Sequence, residues 1–447
     1  MANDVLLAAS RAMRSPGVKI VLIAVLTLLM SIPLLFIQLT LSEREQRAAG
    51  AVQDVAVGWG GPQTVAGPVL LVPYSVTQQF TGTDGRVQQT VDRHVAVLLP
   101  EELNVKTGAD EQTRWRGIFA VPVYTAKVGL HATYSKDALA AVARLGTVQW
   151  SEASVAVLVS DPHGLADSVT LQTGGKAIPF QPGTAMGDDG PAGIQAPLVL
   201  EGPGDLSIDT AFALRGAREF SFAPLGRRTT ASMQSGWPHP SFFGAFLPSD
   251  RNVSKDGFTA SWVVPYLARG YGQSFPDVGR AGNTLLSATS GVKFYQPVDF
   301  YQLVERSLKY AIMFIALAFL IFFVTETVSP KRLHAVQYAL VGMAQALFYL
   351  LLLSFAEHVG FALAYAGAAG ATIALTSAYA ISALANKLRA IVLCAILTAL
   401  YGLLYVILNA EDYALLIGSG LMFAALAGTM FVTRQIDSYR TAEQQTA

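Results

Sequence analysis

A chain of 447 residues has room for two or three domains. Hydrophobic residues make up 52% of it and charged residues only 14%, against roughly 25% charged in soluble domains, so the composition points to a membrane protein. The 31 basic and 31 acidic residues cancel, which excludes the basic footprint of a nucleic-acid binder; one cysteine, Cys394, excludes intrachain disulfides and clustered-cysteine metal sites.

The first 17 residues carry Arg11 and Arg14, with Lys19 just after, and Ile20 to Leu41 is apolar apart from Thr27, Ser31, Pro33, Gln38 and Thr40. A cleaved signal peptide is one reading, because Ala49-Gly50-Ala51 has the small residues of a cleavage site. The apolar run is too long for a signal h-region, and SEREQR separates it from those alanines, so a retained signal anchor is expected. Either way the chain beyond Leu41 is expected to be exported. Ser42 to about Val57 continues the helix as a solvated stalk, and the Gly and Pro residues of GWGGPQTVAGPVLLVPY end it before a first strand, VLLVPY.

From there to Tyr301 the texture is β. Short or alternating runs rich in Val, Phe, Tyr and Thr recur at Val91–Leu99, Ile118–Tyr134, Ser154–Ser160, Ala211–Phe222 and Phe258–Pro265. Turn signals stand at Thr83-Asp84-Gly85, Asp161-Pro162, Thr173-Gly174-Gly175 and Asp188-Asp189-Gly190. One helix is expected at Ser135–Leu145, with Ser135 as its cap. Most of the chain's charges, with an acidic excess, fall in this region, which predicts a water-soluble domain of one or two antiparallel sandwiches.

Five more apolar runs follow, at Tyr310–Val328, Val336–Ala356, Val359–Ile381, Ile391–Leu408 and Tyr413–Val432, each near the roughly 20 residues that cross a bilayer. Lys331-Arg332, Lys387 with Arg389, and Arg434 with Arg440 mark one set of connections; Glu357-His358 and Asn409-Ala410-Glu411-Asp412 mark the other. Six helices with both termini in the cytoplasm satisfy the positive-inside rule. The expected fold is therefore an α+β membrane protein in which a large antiparallel, β-rich, sandwich-like periplasmic domain is inserted between helices 1 and 2. Its segments are residues 1–41 (amino terminus and helix 1), 42–306 (periplasmic), 307–433 (five helices) and 434–447 (cytoplasmic tail).

Motifs for chemistry are missing. No two of the histidines 94, 131, 163, 239, 334 and 358 stand at metal-ligand spacing, and there is no His-Glu-x-x-His, Gly-x-Ser-x-Gly, Walker loop or dinucleotide fingerprint. The expectation is a protein with no enzymatic activity, cofactor or metal. Five residues stand out as candidate functional polar or contact groups. Glu357 and His358 form an ionisable pair that reads either as a proton-relay element or as a cap in the headgroup zone. Glu326, a turn from its helix end, reads the same way. Gln345, which shares a face with Gln337, is expected to hydrogen-bond a neighbouring helix. Trp237 and Phe243 belong to SMQSGWPHPSFFGAFLPS, either an exposed aromatic patch for lipid or a partner, or a loop folded over the sandwich edge. Gly360, Gly367 and Gly370 are expected to serve close helix packing.

The segments GPQTVAGPVLLVPY, SMQSGWPHPSFFGAFLP, PVDFYQLVERSLKYAIMFIALAFL and HAVQYALVGMAQALFYLLLLSFAEHVGFALAY resemble the CreD family, inner-membrane proteins of Gram-negative bacteria described as cell envelope integrity proteins. The similarity covers essentially the whole chain, with the stretch around Ala356–Tyr365 the most specific and Gln172–Asp209 contributing little. It implies a part in envelope stress and in tolerance of certain bacteriocins and cell-wall-active antibiotics, under a sensor-kinase and response-regulator pair. It implies no catalytic residues or ligand. The expected role is a non-enzymatic scaffold or binding factor, embedded in the lipid bilayer, with a periplasmic or membrane protein partner and no nucleic acid. The alternatives are a transporter or lipid-handling protein with a path among helices 2–6, and a periplasmic hydrolase gathering His94, His131, His163 or His239 with carboxylates.

Overall fold

The computed structural model describes residues 16–81, 87–187, 190–294, 300–327, 333–384, 387–410 and 413–433. The turns at Thr83-Asp84-Gly85 and Asp188-Asp189-Gly190, and the charges Arg11, Arg14, Lys331, Arg332, Glu411, Asp412, Arg434 and Arg440, lie wholly or partly outside them. The chain forms two compact units, one from Met1–Arg47 with Val298–Ala447 and the other from Ala48–Pro297.

The second unit is built on long β-strands. Sheet I has ten strands, among them β1 (Gln63–Thr81), β2 (Val87–Leu98), β5 (Ala153–Val159), β6 (Gly193–Leu198), β8 (Glu219–Phe222), β10 (Pro240–Gly244) and β13 (Ser290–Phe294). Sheet II has eight, among them β3 (Glu102–Arg116), β4 (Phe119–Tyr134), β7 (Leu206–Ala217), β9 (Arg228–Ser235), β11 (Asp250–Ser254) and β12 (Gly257–Pro265). Sequence patterning selects these strands. Leu103, Val105, Thr107 and Ala109 of β3 are buried while the residues between them are not, the period-two signature of a half-buried strand. Arg116 pairs with Phe119 across Gly117, whose φ of 60° suits the first position of a tight hairpin turn. Gly174 and Gly175, both at positive φ, close the hairpin between Thr173 and Lys176.

Both sheets are mixed rather than purely antiparallel. β1 runs parallel to β8 (Gln63 opposite Phe220), and β3 runs parallel to β9 (Arg228 opposite Glu102). Parallel neighbours need long crossovers, so no local turn signal announces them. The two sheets share one continuous core that includes Val69, Leu71 and Val157 of sheet I and Val128, Leu130 and Trp262 of sheet II, so the unit is one sandwich. Two buried tyrosines tie the layers together: Tyr134 donates to the Pro68 carbonyl at 2.8 Å and Tyr124 to the Glu219 carbonyl at 2.6 Å. Burial pushes both phenols above their ordinary range.

Four helices complete the amino-terminal and β parts: α1 (Pro16–Leu29), α2 (Ser31–Trp59), α3 (Lys136–Val142) and α4 (Val278–Leu285). Ser135 caps α3 by accepting from the Ala138 amide. The stalk is helical to Trp59, and its end packs on the outer face of sheet II, where Ala56 meets Val121, Val123 and Ala217. The Trp59 ring lies under the guanidinium groups of Arg114 and Arg215, at 4.4 and 5.0 Å.

The first unit holds α1, the start of α2, and α5 (Phe300–Thr327), α6 (Ala335–Val359), α7 (Phe361–Leu384), α8 (Lys387–Asn409) and α9 (Ala414–Thr433). Five helical stretches among the described residues are long and apolar enough to cross a membrane: Val18–Trp59, Phe300–Glu326, Ala335–Val359, Phe361–Ser382 and Lys387–Asn409. In α9 the apolar stretch Leu416–Gly428 is shorter. The α1–α2 junction falls at Met30, next to Pro33, which cannot donate a helical hydrogen bond. α5 begins at Phe300, before the apolar run, because its first two turns are amphipathic.

The packing glycine differs from the expected ones. A Cβ on Gly342 would lie 2.5 Å from Phe319 and 2.9 Å from Met30, so Gly342 admits those side chains. Gly360 ends α6 with φ 80°, and a Cβ on Gly370 would meet nothing within 4 Å. Residues 367 and 370 share one face of α7, and the opposite face buries Ala368 and Ala369 instead.

Candidate functional site

Polar groups concentrate at the two ends of the helical unit, in its middle and on one face of sheet II. In the helical unit, Glu326 near the end of α5 is buried, 5% exposed. It is held by an ion pair with Lys19 of α1, by the Tyr338 hydroxyl of α6 at 2.8 Å, and by the Leu333 amide at 3.1 Å. At the other end of the same unit the Glu357 side chain, 7% exposed, accepts from Arg44 of α2 at 3.4 Å and from the Tyr301 hydroxyl of α5 at 3.2 Å. Lys19 to Arg44, and Tyr301 to Glu326, are each separations of about 25 residues, roughly 37 Å of helix. That slightly exceeds the ~30 Å hydrocarbon core of a bilayer. Each carboxylate thus ties the amino-terminal segment to the carboxy-terminal helices, and Glu357 is no solvated cap. His358, beside it in sequence, is exposed and points elsewhere on the helix.

The middle group lies mid-length in α6. Gln345, 3% exposed, accepts from the Tyr401 hydroxyl of α8 at 2.5 Å, and Tyr365 of α7 donates to the Tyr401 carbonyl at 2.6 Å. Phe348 sits among Tyr349, Tyr365 and Tyr401, with ring centroids 4.8 to 5.5 Å away. The Gln345 side-chain nitrogen has no hydrogen-bond partner. Gln337 does not reach a neighbouring helix; its carbonyl accepts from the His334 amide and caps α6. Asn409 donates back to the Tyr405 carbonyl at the end of α8. Glu357, His358, Gln345 and Asn409 therefore do not surround one cavity.

The group on sheet II lines a trough of about 820 Å³ on the face that points away from the core. Two neighbouring cross-strand rows make it. One reads Ser261, Ser232, Lys106, Gly129, Ala211, and the other Thr259, Gln234, Gly108, Lys127, Ala213. Gly108, Gly129 and Ser232 around the middle of these rows, with Ala211 and Ser261 at the ends of one, leave much of the backbone uncovered, which is what hollows the sheet. Asp250 stands at one end, and a second hollow of about 450 Å³ continues from Gly108, Lys127, Gln234 and Thr259 toward Asn252, Ser254 and Asp256. Lys127 pairs with Asp110 at 3.2 Å. Gly108 and Gly129, isolated inside strand-like runs, are the sequence signal for such a place, and sequence reasoning passed over them.

The aromatic segment lies elsewhere. Its SMQS part is the end of β9 and PSFFG is β10, an edge strand of sheet I, so the stretch passes from one sheet to the other, with Trp237, Phe242 and Phe246 packed against the shared core. Trp237 packs edge-on against Phe294, and Phe242 against Phe258 and Trp262, while Phe243 lies under the Lys293 ammonium at 4.9 Å. Leu247 remains exposed. The histidines are also dispersed. His94 stacks on Tyr74, His131 pairs with Asp209 across β4 and β7 at 2.7 Å, and His163 pairs with Asp161 at 3.1 Å. Partial burial raises the Asp161 carboxyl, but hydrogen bonds from Gly61 and His163 outweigh it and hold the group below its usual range. Among the described residues no three His, Cys, Asp or Glu side chains are grouped as metal ligands.

A solved M1 zinc metallopeptidase from Deinococcus radiodurans is 7% identical over 44% of this chain and 42% of its own, with a TM-score of 0.20, a likeness too slight to bear on either unit. Inner membrane protein CreD of Escherichia coli (strain K12) is 34% identical over 418 residues, 92% of this chain and 91% of that protein. The family model described as inner membrane protein CreD matches residues 15–439. With the amino-terminal helix, the β unit and the helix cluster all inside that match, the chain belongs to the CreD family of inner membrane proteins.

Proposed function

We propose that this protein supports cell envelope integrity under stress as a binding factor that turns over no substrate. In this reading six helices cross the inner membrane, α9 being the sixth. Both termini are cytoplasmic, and the β sandwich stands in the periplasm. The orientation is supported by the basic residues at one set of helix ends, Lys19, Lys331, Arg332, Lys387 and Arg389, against Glu357 and Asp412 at the other.

The observation that carries the binding role is the trough on sheet II. It is lined by residues of six strands and mixes hydroxyls, an amide and charges of both signs on an uncovered backbone floor. Such a surface suits a protein partner that brings its own polar side chains and excludes water from the floor. The placements of Glu357, Gln345 and Asn409 do not favour the transport reading.

The test is in-cell photo-crosslinking with a photoreactive residue at Ser232 or Thr259, with Leu267, 91% exposed and outside the trough, as the comparison. A discrete protein adduct at the two trough positions and none at Leu267 is expected. The same adducts from all three, or from Trp237 or Phe243 alone, would refute the trough as the binding surface.

A further inference from the structure

We infer that the free edge of β11 is a docking site for an extended segment of a protein partner, which joins sheet II as a further strand. β11 ends the strand order of sheet II, pairs with β12 alone, and has all five of its residues exposed. Alternate residues of such a strand turn both N–H and C=O away from the sheet, and a polypeptide backbone is the complement that answers both. The strands at the other three ends of the two strand orders each contain a proline, Pro240, Pro182 and Pro179, which withholds an amide. β11 contains none. It is guarded by charge instead, and charge admits a strand of the opposite pattern while it turns others away.

The charges select the occupant. One face of β11 presents Arg251 and Val253, a cation with no acid; the other presents Asp250, Asn252 and Ser254, an acid with no base. Val253 is 48% exposed, and the Arg251 guanidinium lies over the Phe242 ring at 5.8 Å. A two-fold pair of β11 strands would set like face on like face. In the register that joins all five residues, Arg251 meets its own counterpart diagonally at about 7 Å, with no acid on that face to separate them, and like charges repel there. A second copy is therefore disfavoured. The strand that fits carries an acid on the face shared with Arg251, an apolar residue against Val253, and a base on the face shared with Asp250. The inference concerns the edge of the sheet and stands whether or not the trough on its face binds a partner.

Hydrogen–deuterium exchange on the full-length protein in detergent micelles tests this, with a blocked seven-residue peptide whose odd positions are Glu and Val and whose even positions are Lys and Thr. At about 1 mM peptide, amide exchange over residues 250–254 should slow about fivefold, with no change over 176–179. The same peptide with alternate amides N-methylated should protect nothing, since it cannot make the ladder. Arg251→Glu and Asp250→Lys, both at exposed positions, should each abolish most of the protection. The double variant inverts both faces and should regain it through a one-residue shift of the peptide, which a variant that had merely misfolded would not do. No protection by the alternating peptide, protection by its N-methylated form, or indifference to the single variants overturns the proposal. Slower exchange with the Asp250–Ser254 sequence itself as the peptide, or with rising protein concentration alone, overturns it too, because a second copy would then be the occupant.

Discussion

Removing Lys19 should expose how much the Glu326 pair contributes. In the wild type the Glu326 carboxylate is almost sealed, and three donors share it: the Lys19 ammonium, the Tyr338 hydroxyl and the Leu333 amide. Lys19→Met deletes the only cation among them and leaves a buried anion with two neutral donors. Breaking a buried pair from one side typically costs about 3–5 kcal/mol, mostly because the remaining charge is stranded. Glu326→Gln with Lys19→Met removes both charges, and the loss should shrink to about 1–2 kcal/mol, the scale of ordinary hydrogen bonds. A coupling of about 2 kcal/mol or more is therefore expected from the double-mutant cycle. The assay is unfolding in mixed detergent micelles, followed by helical circular dichroism. All five tryptophans lie between Trp59 and Trp262, so their fluorescence reports on the β sandwich and should hold its transition unchanged. Single and double variants of equal stability would show that water solvates the pair, and the burial argument would then fail.

The remaining predictions concern both units. Tyr401→Phe takes away the partner of a buried Gln345 that already has one idle nitrogen, and should cost about 1–3 kcal/mol, whereas Gln345→Leu with Tyr401→Phe should restore most of it; a double variant no better than Tyr401→Phe refutes this. Gly216→Ala brings a Cβ within 2.3 Å of the Tyr124 hydroxyl oxygen, against a ring that is fully buried, and should lower the tryptophan-monitored stability by about 1–3 kcal/mol. Burial raises the phenols of Tyr124 and Tyr134 above the value of about 10 that they have in the unfolded chain. Their contribution is complete below pH ~10 and is lost as the pH climbs from there toward the folded values. The sandwich should therefore unfold together with the appearance of tyrosinate absorbance, and free titration of every tyrosine near pH 10 in the folded protein would contradict it.

What the sequence made legible was local. Short or alternating apolar runs marked β4, β5 and β12, the Gly174-Gly175 pair marked a hairpin, Ser135 marked a cap, and apolar length marked α5 to α8. Each of these signals lies within a dozen residues or so of what it specifies. The parallel pairings of β1 with β8 and of β3 with β9 have no such signal, because their registers are set by packing across a shared core. The same holds for the polar groups. Glu326 and Glu357 look in sequence like helix-end residues facing headgroups, and only the fold brings Lys19 and Arg44, some 300 residues away, to meet them. The trough escaped for a different reason. It consists of what side chains leave uncovered, and Gly108, Gly129, Ser232 and Ser261 come from four separate strands.

These long-range pairs bear on whether the amino-terminal segment is removed. A cut at Ala49-Gly50-Ala51 would carry off Lys19 and Arg44 together. It would strand Glu326 and Glu357, each then buried against a tyrosine hydroxyl but without a cation. At about 3–5 kcal/mol for each pair broken from one side, the two losses amount to much of the 5–15 kcal/mol by which folded domains are usually stable. The cut would also remove the first turns of α2 and take Met30 from its place over Gly342, leaving Phe319 without one of its neighbours. The chain purified from membranes should therefore retain residues through Arg44, and intact-mass measurement reads this directly. A mature protein that starts after Ala51 and keeps its helical unit folded would mean that both carboxylates are satisfied some other way, and the account of the two pairs as structural ties would have to be given up.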